Sequence, residues 1–265
     1  ASADFLVVQD IFPNETTKFA HVILPSAAWC EDEGTFTSLE RRVSMVRTIK
    51  TPPGIAKPNW WIFKELARKM GHDWPSNSGR DLCDKELAVL CPMFAGITFD
   101  RIEKDGLQWP CPSPTHPGTP IVHKDGKFTH GKGILKGLEW TPPAEVADKD
   151  YPLVLSTGRR LSQYHTRTQT GRSDMDTIYS RETADISIDD AREKGIDDGE
   201  MIVVQSRRGK VTVPARVTDV VPRGMVWMTF HYREGNCNWL TNNVGDTVTK
   251  TPEFKACAVR IEKVT

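Results

Sequence analysis

Residues 155–172, LSTGRRLSQYHTRTQTGR, carry four arginines, one histidine and six serine or threonine hydroxyls, with no carboxylate. Guanidinium groups give planar, two-pronged donation suited to phosphate. The apolar run YPLVL leads into the segment from Tyr151 and reads as a strand. Thr157, Gly158 and Arg159 then make a donor-rich loop at its C-terminal end, where a glycine lets a ligand approach the backbone closely. A solvated basic loop is the plain alternative. The interleaving of Tyr164, His165 and hydroxyls with the charges favours an anion or nucleotide site.

That site must be local. The 265 residues hold 35 basic and 35 acidic side chains, so the net charge is zero. Such a balance favours neither nucleic acid nor a membrane surface. No apolar run approaches the ~20 residues a spanning helix needs. The six cysteines, Cys30, Cys83, Cys91, Cys111, Cys237 and Cys257, form no C-x-x-C pair. They read as reduced, mostly buried thiols of a cytoplasmic protein. No H-E-x-x-H, P-loop or G-x-G-x-x-G pattern appears.

The elements that would position these residues fall into three stretches. In the first, FLVVQDIF (5–12) and AHVILPSA (20–27) read as buried strands, with a short helix or turn in PNETTKF between them. Two such strands with a crossover imply a parallel α/β sheet. Pro58 opens a helix whose Phe63, Leu66, Ala67 and Met70 share one face, and Gly71 ends it. Residues 72–150 are dense in Pro, Gly, Ser and His and read as an irregular connector with one helix over 80–91. From Tyr151 onward short strands recur between turn signals such as Asp198-Gly199 and Arg208-Gly209, with a small helix at 189–196 capped by Asp189. That texture predicts a closed or nearly closed β-barrel.

The segments YPLVLSTGRRLSQYHTRTQTGRS, IDDAREKGIDDGEMIVVQSRRGKVTVPARVTD, NCNWLTNN and TKTPEFKACAVRIE resemble the C-terminal domain of molybdopterin-dependent oxidoreductases. Upstream, VVQDIFPNETTKFAHVILPSAAWCEDEGTFTSLERR, PNWWIFKELARKMG and GLQWPCP follow in the same family's order. Within the family the chain is most similar to the catalytic (alpha) subunit of cytoplasmic formate dehydrogenases. The resemblance implies an α/β plus β fold. Residues 1–75 would be the end of a Rossmann-like domain, 76–150 the connector, and 151–265 a double-psi β-barrel. It also implies two pyranopterin guanine dinucleotides (bis-molybdopterin guanine dinucleotide) holding one molybdenum or tungsten.

Carried over residue by residue, the resemblance makes Asp10 a guanosine contact, because guanine presents adjacent N–H donors that a carboxylate accepts. Ser26 and Asn59 would stand beside it. Asn59 replaces the family's usual Asp, and its other reading is a helix N-cap. In the barrel, Thr157, Gly158, Arg159 and Arg160 would clamp pyrophosphate and pterin. His165, Thr166, His231, Asn238 and Lys255 would face pterin acceptors and donors. His21 and Gln163 depart from the family's usual Asp and His. The family's iron–sulfur cysteines (for a 4Fe-4S cluster) and its metal-ligating Cys or selenocysteine match nothing here and are expected upstream. The chain alone is then not catalytic. Its expected partners are the N-terminal portion of the same subunit and an iron–sulfur electron-transfer subunit. A related nitrate reductase, or a non-catalytic nucleotide-binding barrel, are the competing readings.

Overall fold

The computed structural model describes residues 3–264; Ala1, Ser2 and Thr265, the outermost residues of the expected first and last domains, lie outside the described residues. The chain divides into two compact units, 1–135 and 136–265.

In the first unit, strands β1 (Val7–Asp10) and β2 (Val22–Pro25) pair in parallel, from Val7 opposite Val22 to Asp10 opposite Pro25. A 3-10 turn, Thr16–Phe19, makes the crossover. The side-chain oxygen of Asn14 starts it, accepting from the Thr16 and Thr17 amides. These strands are not buried as their composition predicts: Val7, Val22 and Ile23 are exposed. Helix α1 (Asn59–Lys69) follows the predicted span. Its predicted core face is open, with Phe63, Leu66 and Met70 at 50%, 51% and 68% exposure, while Ala67 and Ile62 are buried. The reason is architectural. A two-stranded sheet and one helix lack the second layer that would cover both apolar faces.

The rest of this unit is a small antiparallel sheet. β3 (Gly34–Thr37) and β4 (Arg42–Val46) form a hairpin, and β5 (Leu107–Gln108) adds to β4. The predicted helix at 80–91 spans Gly79–Leu90, with a π-helical middle at Leu82–Leu87, and Ser78 caps it by accepting from the Asp81 amide. Little of 91–135 is regular, and half-buried arginines hold part of it by gripping carbonyls. Arg41, in the left-handed region at φ 66°, donates to the Trp109, Thr119 and Pro120 carbonyls. Arg101 donates to the Gly96 and His116 carbonyls. Val43, Ile97, Ile102 and Cys111 form the small core between them.

In the second unit six strands close a barrel: β6 (Leu153–Gly158), β7 (Ala184–Ser187), β8 (Met201–Gln205), β9 (Lys210–Thr218), β10 (Met225–Thr229) and β11 (Cys257–Lys263). The order around it is β10-β6-β11-β8-β9-β7. β6 with β10 and β7 with β9 are parallel, and the other pairs are antiparallel. The period of two along β6 sends Leu153, Leu155 and Thr157 inward. Leu155, Ile186, Ile202, Val204, Val226 and Met228 fill the interior without solvent exposure. The helix after β7 spans Ile188–Lys194. Its cap is Ser187 rather than Asp189: the Ser187 hydroxyl accepts from the Asp190 amide and donates to the Asp190 carboxylate. The Ser-x-x-Asp spacing is the signal for that box.

Candidate cofactor sites, one in each unit

In the first unit the candidates gather where β1 and β2 end. The main-chain oxygen of Asp10 accepts from the Ser26 amide, so the two residues sit side by side. The Asp10 carboxylate accepts from the Ile11 amide and from the Asn14 side chain, both at 2.7 Å. Asn59 does not cap α1. Pro58 holds the cap position, and the Asn59 oxygen accepts from the Gln9 side chain at 2.7 Å. Ser26 bridges to Lys57 in parallel register, and its hydroxyl is buried without a partner. A buried unpaired hydroxyl costs about 1–3 kcal/mol unless something supplies a bond. A polar group docked at this strand end would supply one, and the carboxyl ends of parallel strands are where α/β sheets bind ligands. Of the two departures from the family pattern, His21 accepts from the Leu6 amide through Nδ1 and stacks on Phe5, which fixes the entry to β2.

In the barrel, register brings the candidates to one end. Gly158 lies opposite Thr229 and Leu155 opposite Cys257. The ends of β6 and β10 and the start of β11 therefore share that end, with the segment before β7, because β7 runs antiparallel to β10. Adjacent arginines at the close of β6 have opposite fates. Arg159 is exposed, its guanidinium 5.8 Å from the Phe230 ring centre, and it forms no ion pair among the described residues. Arg160 is buried. It pairs with Asp185 at 2.9 Å, donates to Thr183, and lies between the Tyr179 and Trp227 rings at 4.7 and 4.9 Å. Arg216 reaches the same carboxylate at 3.0 Å. Of the Arg160 nitrogens, Nε is the one left without a partner. It belongs to the wall of a cleft of about 380 Å³ shared with Arg159, Tyr179, Arg216 and Trp227.

Several other candidates also turn inward. The Thr157 hydroxyl donates to the Phe254 carbonyl at 2.8 Å, and Lys255 donates to the Thr157 carbonyl. Gly158 makes room for the protein's own indole: a Cβ there would meet Trp227 at 2.7 Å. His231 has both ring nitrogens engaged. Nε2 accepts from the Arg160 amide at 2.9 Å, and Nδ1–H donates to the His165 carbonyl. Burial, with the nearby Arg159 and Arg160 cations, holds its pKa below the ordinary histidine range against the pull of that carbonyl. Gln163 is spent on the loop itself, donating to Asp176 and the Tyr179 carbonyl and accepting from Thr170. Outward-facing candidates remain. Arg159 is one. Among the described residues the Thr166 hydroxyl bonds its neighbour Thr168 alone, Lys255 is exposed apart from its bond to the Thr157 carbonyl, and Asn238 projects from the 3-10 turn Cys237–Trp239.

Glu182 has no counterpart among the sequence candidates. It is buried, and its carboxylate accepts from the Thr229 amide, the Thr183 amide and the Thr229 hydroxyl. Burial outweighs those donors and pushes its pKa up to about 7. Nothing in SRETAD marks it as internal, because Thr229, which binds it twice, lies 47 residues away. Burial pushes the Cys83 thiol up to about 11 and the Cys237 thiol up to about 12, which keeps these two protonated and unreactive.

Each unit by itself fits a ligand with anionic or hydrogen-bonding edges. One strand end offers an orphaned hydroxyl beside a carboxylate and an amide, and one barrel end offers an unpaired guanidinium, a lysine ammonium with one bond to a main-chain carbonyl, and an exposed amide. Two family models match the chain, the molydopterin dinucleotide binding domain over residues 153–258 and molybdopterin oxidoreductase over residues 1–69. The chain carries a molydopterin dinucleotide binding domain over its barrel and matches part of the molybdopterin oxidoreductase domain ahead of it. It is 47% identical to the F420-dependent formate dehydrogenase 2 subunit alpha of Methanococcus maripaludis over 99% of its length and 39% of that protein's. It is 44% identical to the F420-dependent formate dehydrogenase subunit alpha of Methanocaldococcus jannaschii, covering 99% of this chain and 40% of that one. The chain thus spans about 40% of the length of the curated relatives it matches. The acetylene hydratase of Pelobacter acetylenicus shares the fold, with a TM-score of 0.70 over 98% of this chain and 40% of that one at 15% identity. Among the described residues no helix is long and apolar enough to cross a membrane.

Proposed function

We propose that this chain is the pterin-dinucleotide-binding, C-terminal portion of a formate dehydrogenase catalytic subunit. The identity to formate dehydrogenase alpha subunits over nearly the whole chain carries the reading. The cofactor is bis-molybdopterin guanine dinucleotide with molybdenum or tungsten, which supplies the two-electron oxidation of formate to carbon dioxide. In this reading the first unit is the end of a Rossmann-like domain, and the barrel is of the double-psi type. Asp10, Ser26 and Asn59 hold a guanine end. Arg159, Lys255, Asn238 and Thr166 meet phosphate and pterin edges. Arg160, Thr157, Gly158 and His231 build the platform beneath them. The exposed apolar faces of β1, β2 and α1 meet the N-terminal portion of the same subunit, which also brings the metal ligand and a 4Fe-4S cluster. Electrons leave through an iron–sulfur subunit of a cytoplasmic complex.

Arg159 tests the reading. Removing a charged donor from a phosphate costs about 1.5–3 kcal/mol, or roughly tenfold to a hundredfold in affinity. Arg159→Ala is expected to lower pterin and metal content together, with the barrel's circular dichroism unchanged. Arg208→Ala is not a silent control, because Arg208 binds Glu145 and the Leu240 carbonyl. Arg192, highly exposed on the Ile188–Lys194 helix, is the better one. Full occupancy in the Arg159 variant overturns its assignment, and intact enzyme that releases no GMP on acid treatment overturns the guanine site.

A further inference from the structure

The engagement of both His231 nitrogens points to a different role for this side chain from that of a ligand. One end of the ring receives the first amide after Arg159, and the other grips a carbonyl five residues further along the same loop. His165 and Arg167, where the loop turns back, take left-handed φ of 46° and 61°. The loop is therefore held in an uncommon backbone shape by something outside it. The hold reaches deeper. The His231 amide approaches the Thr229 hydroxyl at 3.4 Å, and Thr229 is fixed through its hydroxyl and amide to buried Glu182.

We infer that His231 is a positioning residue: its neutral imidazole latches the 159–166 loop to the end of β10 and thereby fixes where the Arg159 guanidinium stands. The latch requires one tautomer, with hydrogen on Nδ1 and a lone pair on Nε2. Protonation gives Nε2 a hydrogen that opposes the Arg160 N–H, so the latch fails. The groups facing the ring oppose that protonation. Arg159, Arg160 and His165 approach from the loop, and the neighbouring Tyr232 lies under Arg167. Glu182 is separated from the ring by Thr229. A histidine whose folded pKa is depressed contributes fully above the ordinary value near 6.5 and loses that contribution as pH falls below it. Only what Arg159 binds rests on the reading above; the latch stands on this chain's own contacts.

Hydrogen exchange by mass spectrometry on the full catalytic subunit, prepared with and without pterin, tests it. In wild type, corrected exchange at residues 159–166 should rise about tenfold between pH 7.5 and pH 5.5, the loss of one hydrogen bond, while β8 and β9 stay protected. His231→Phe should exchange fast at both pH values. His165→Asn should keep the pH response, because the latch bond is made by its carbonyl. Loop exchange in wild type that ignores pH, or in His231→Phe that matches wild type, overturns the latch. The wild-type arm decides the question even if the Phe variant does not fold. If Arg159→Ala keeps its cofactor while the loop still responds to pH, the dinucleotide assignment fails and the latch survives.

Discussion

Where β1 and β2 end, a buried serine hydroxyl stands with no partner beside a carboxylate and an amide; where β6 and β10 end, Thr157, Arg160, Glu182 and His231 are already bound within the chain. The first arrangement sits on a two-stranded sheet with exposed faces, the second on a closed barrel with a dry interior. A closed barrel pairs every strand edge and can spend polar side chains on fixing its own loops, which leaves a few rigidly placed donors at the rim. At the open strand end Asp10 and Asn59 are also bonded within the chain, and the Ser26 hydroxyl is left for whatever docks there.

The contrast fails first at Arg160 if it is wrong. Taking one partner from a buried ion pair costs about 3–5 kcal/mol. Arg160→Ala should therefore lower the urea midpoint of the barrel in apoprotein as well as holoprotein, with Arg216 moderating the loss. An Arg160 that mattered only for ligand would leave the apoprotein unchanged.

Glu182 sharpens the comparison through pH. Its carboxyl holds a proton more readily folded than unfolded, so its contribution is full below the ordinary value near 4.5 and is lost as pH rises to about 7. A shift of that size is on the order of 3 kcal/mol. Glu182→Gln should flatten the fall in stability over that range, measured by denaturation at several pH values. His231 runs the opposite way, losing its contribution on acidification.

Ser26 carries the smallest effect. Ser26→Ala removes a hydroxyl that the chain itself does not use, so stability without cofactor should hold or rise slightly. Guanine-dinucleotide retention should fall by one hydrogen bond, about 0.5–1.5 kcal/mol. A destabilised apoprotein would show that Ser26 serves the fold after all.

How far the sequence reads ahead depends on the distance between partners. The strands, the 59–69 helix and the closed barrel follow from local period and turn residues, and the structure has them in place. Burial of FLVVQDIF and AHVILPSA does not follow, because covering a strand takes a layer that periodicity cannot supply. Arg159 and Arg160 look alike in a string, and only Asp185 and the Tyr179 and Trp227 rings decide which is buried. Gly158 reads as a place for a ligand until Trp227, 69 positions on, is seen to fill it. His231 reads as a ligand because its two partners are 71 and 66 residues away.

Glu145 lies eight residues ahead of the first barrel strand, yet it accepts from Arg207, Arg208 and the Ala258 amide. Burial alone would raise its pKa, but the two guanidiniums and that amide hold it below the usual carboxylate range. The next contact upstream, the Ala144 amide on Glu253, ties the same strap to the approach to β11. The compact unit therefore begins earlier than its strands do. A protein trimmed to start at Tyr151 would keep all six strands and lose the carboxylate on which Arg207 and Arg208 converge. A cut made before Pro142 leaves that belt fastened, and limited proteolysis should find the barrel's natural edge there.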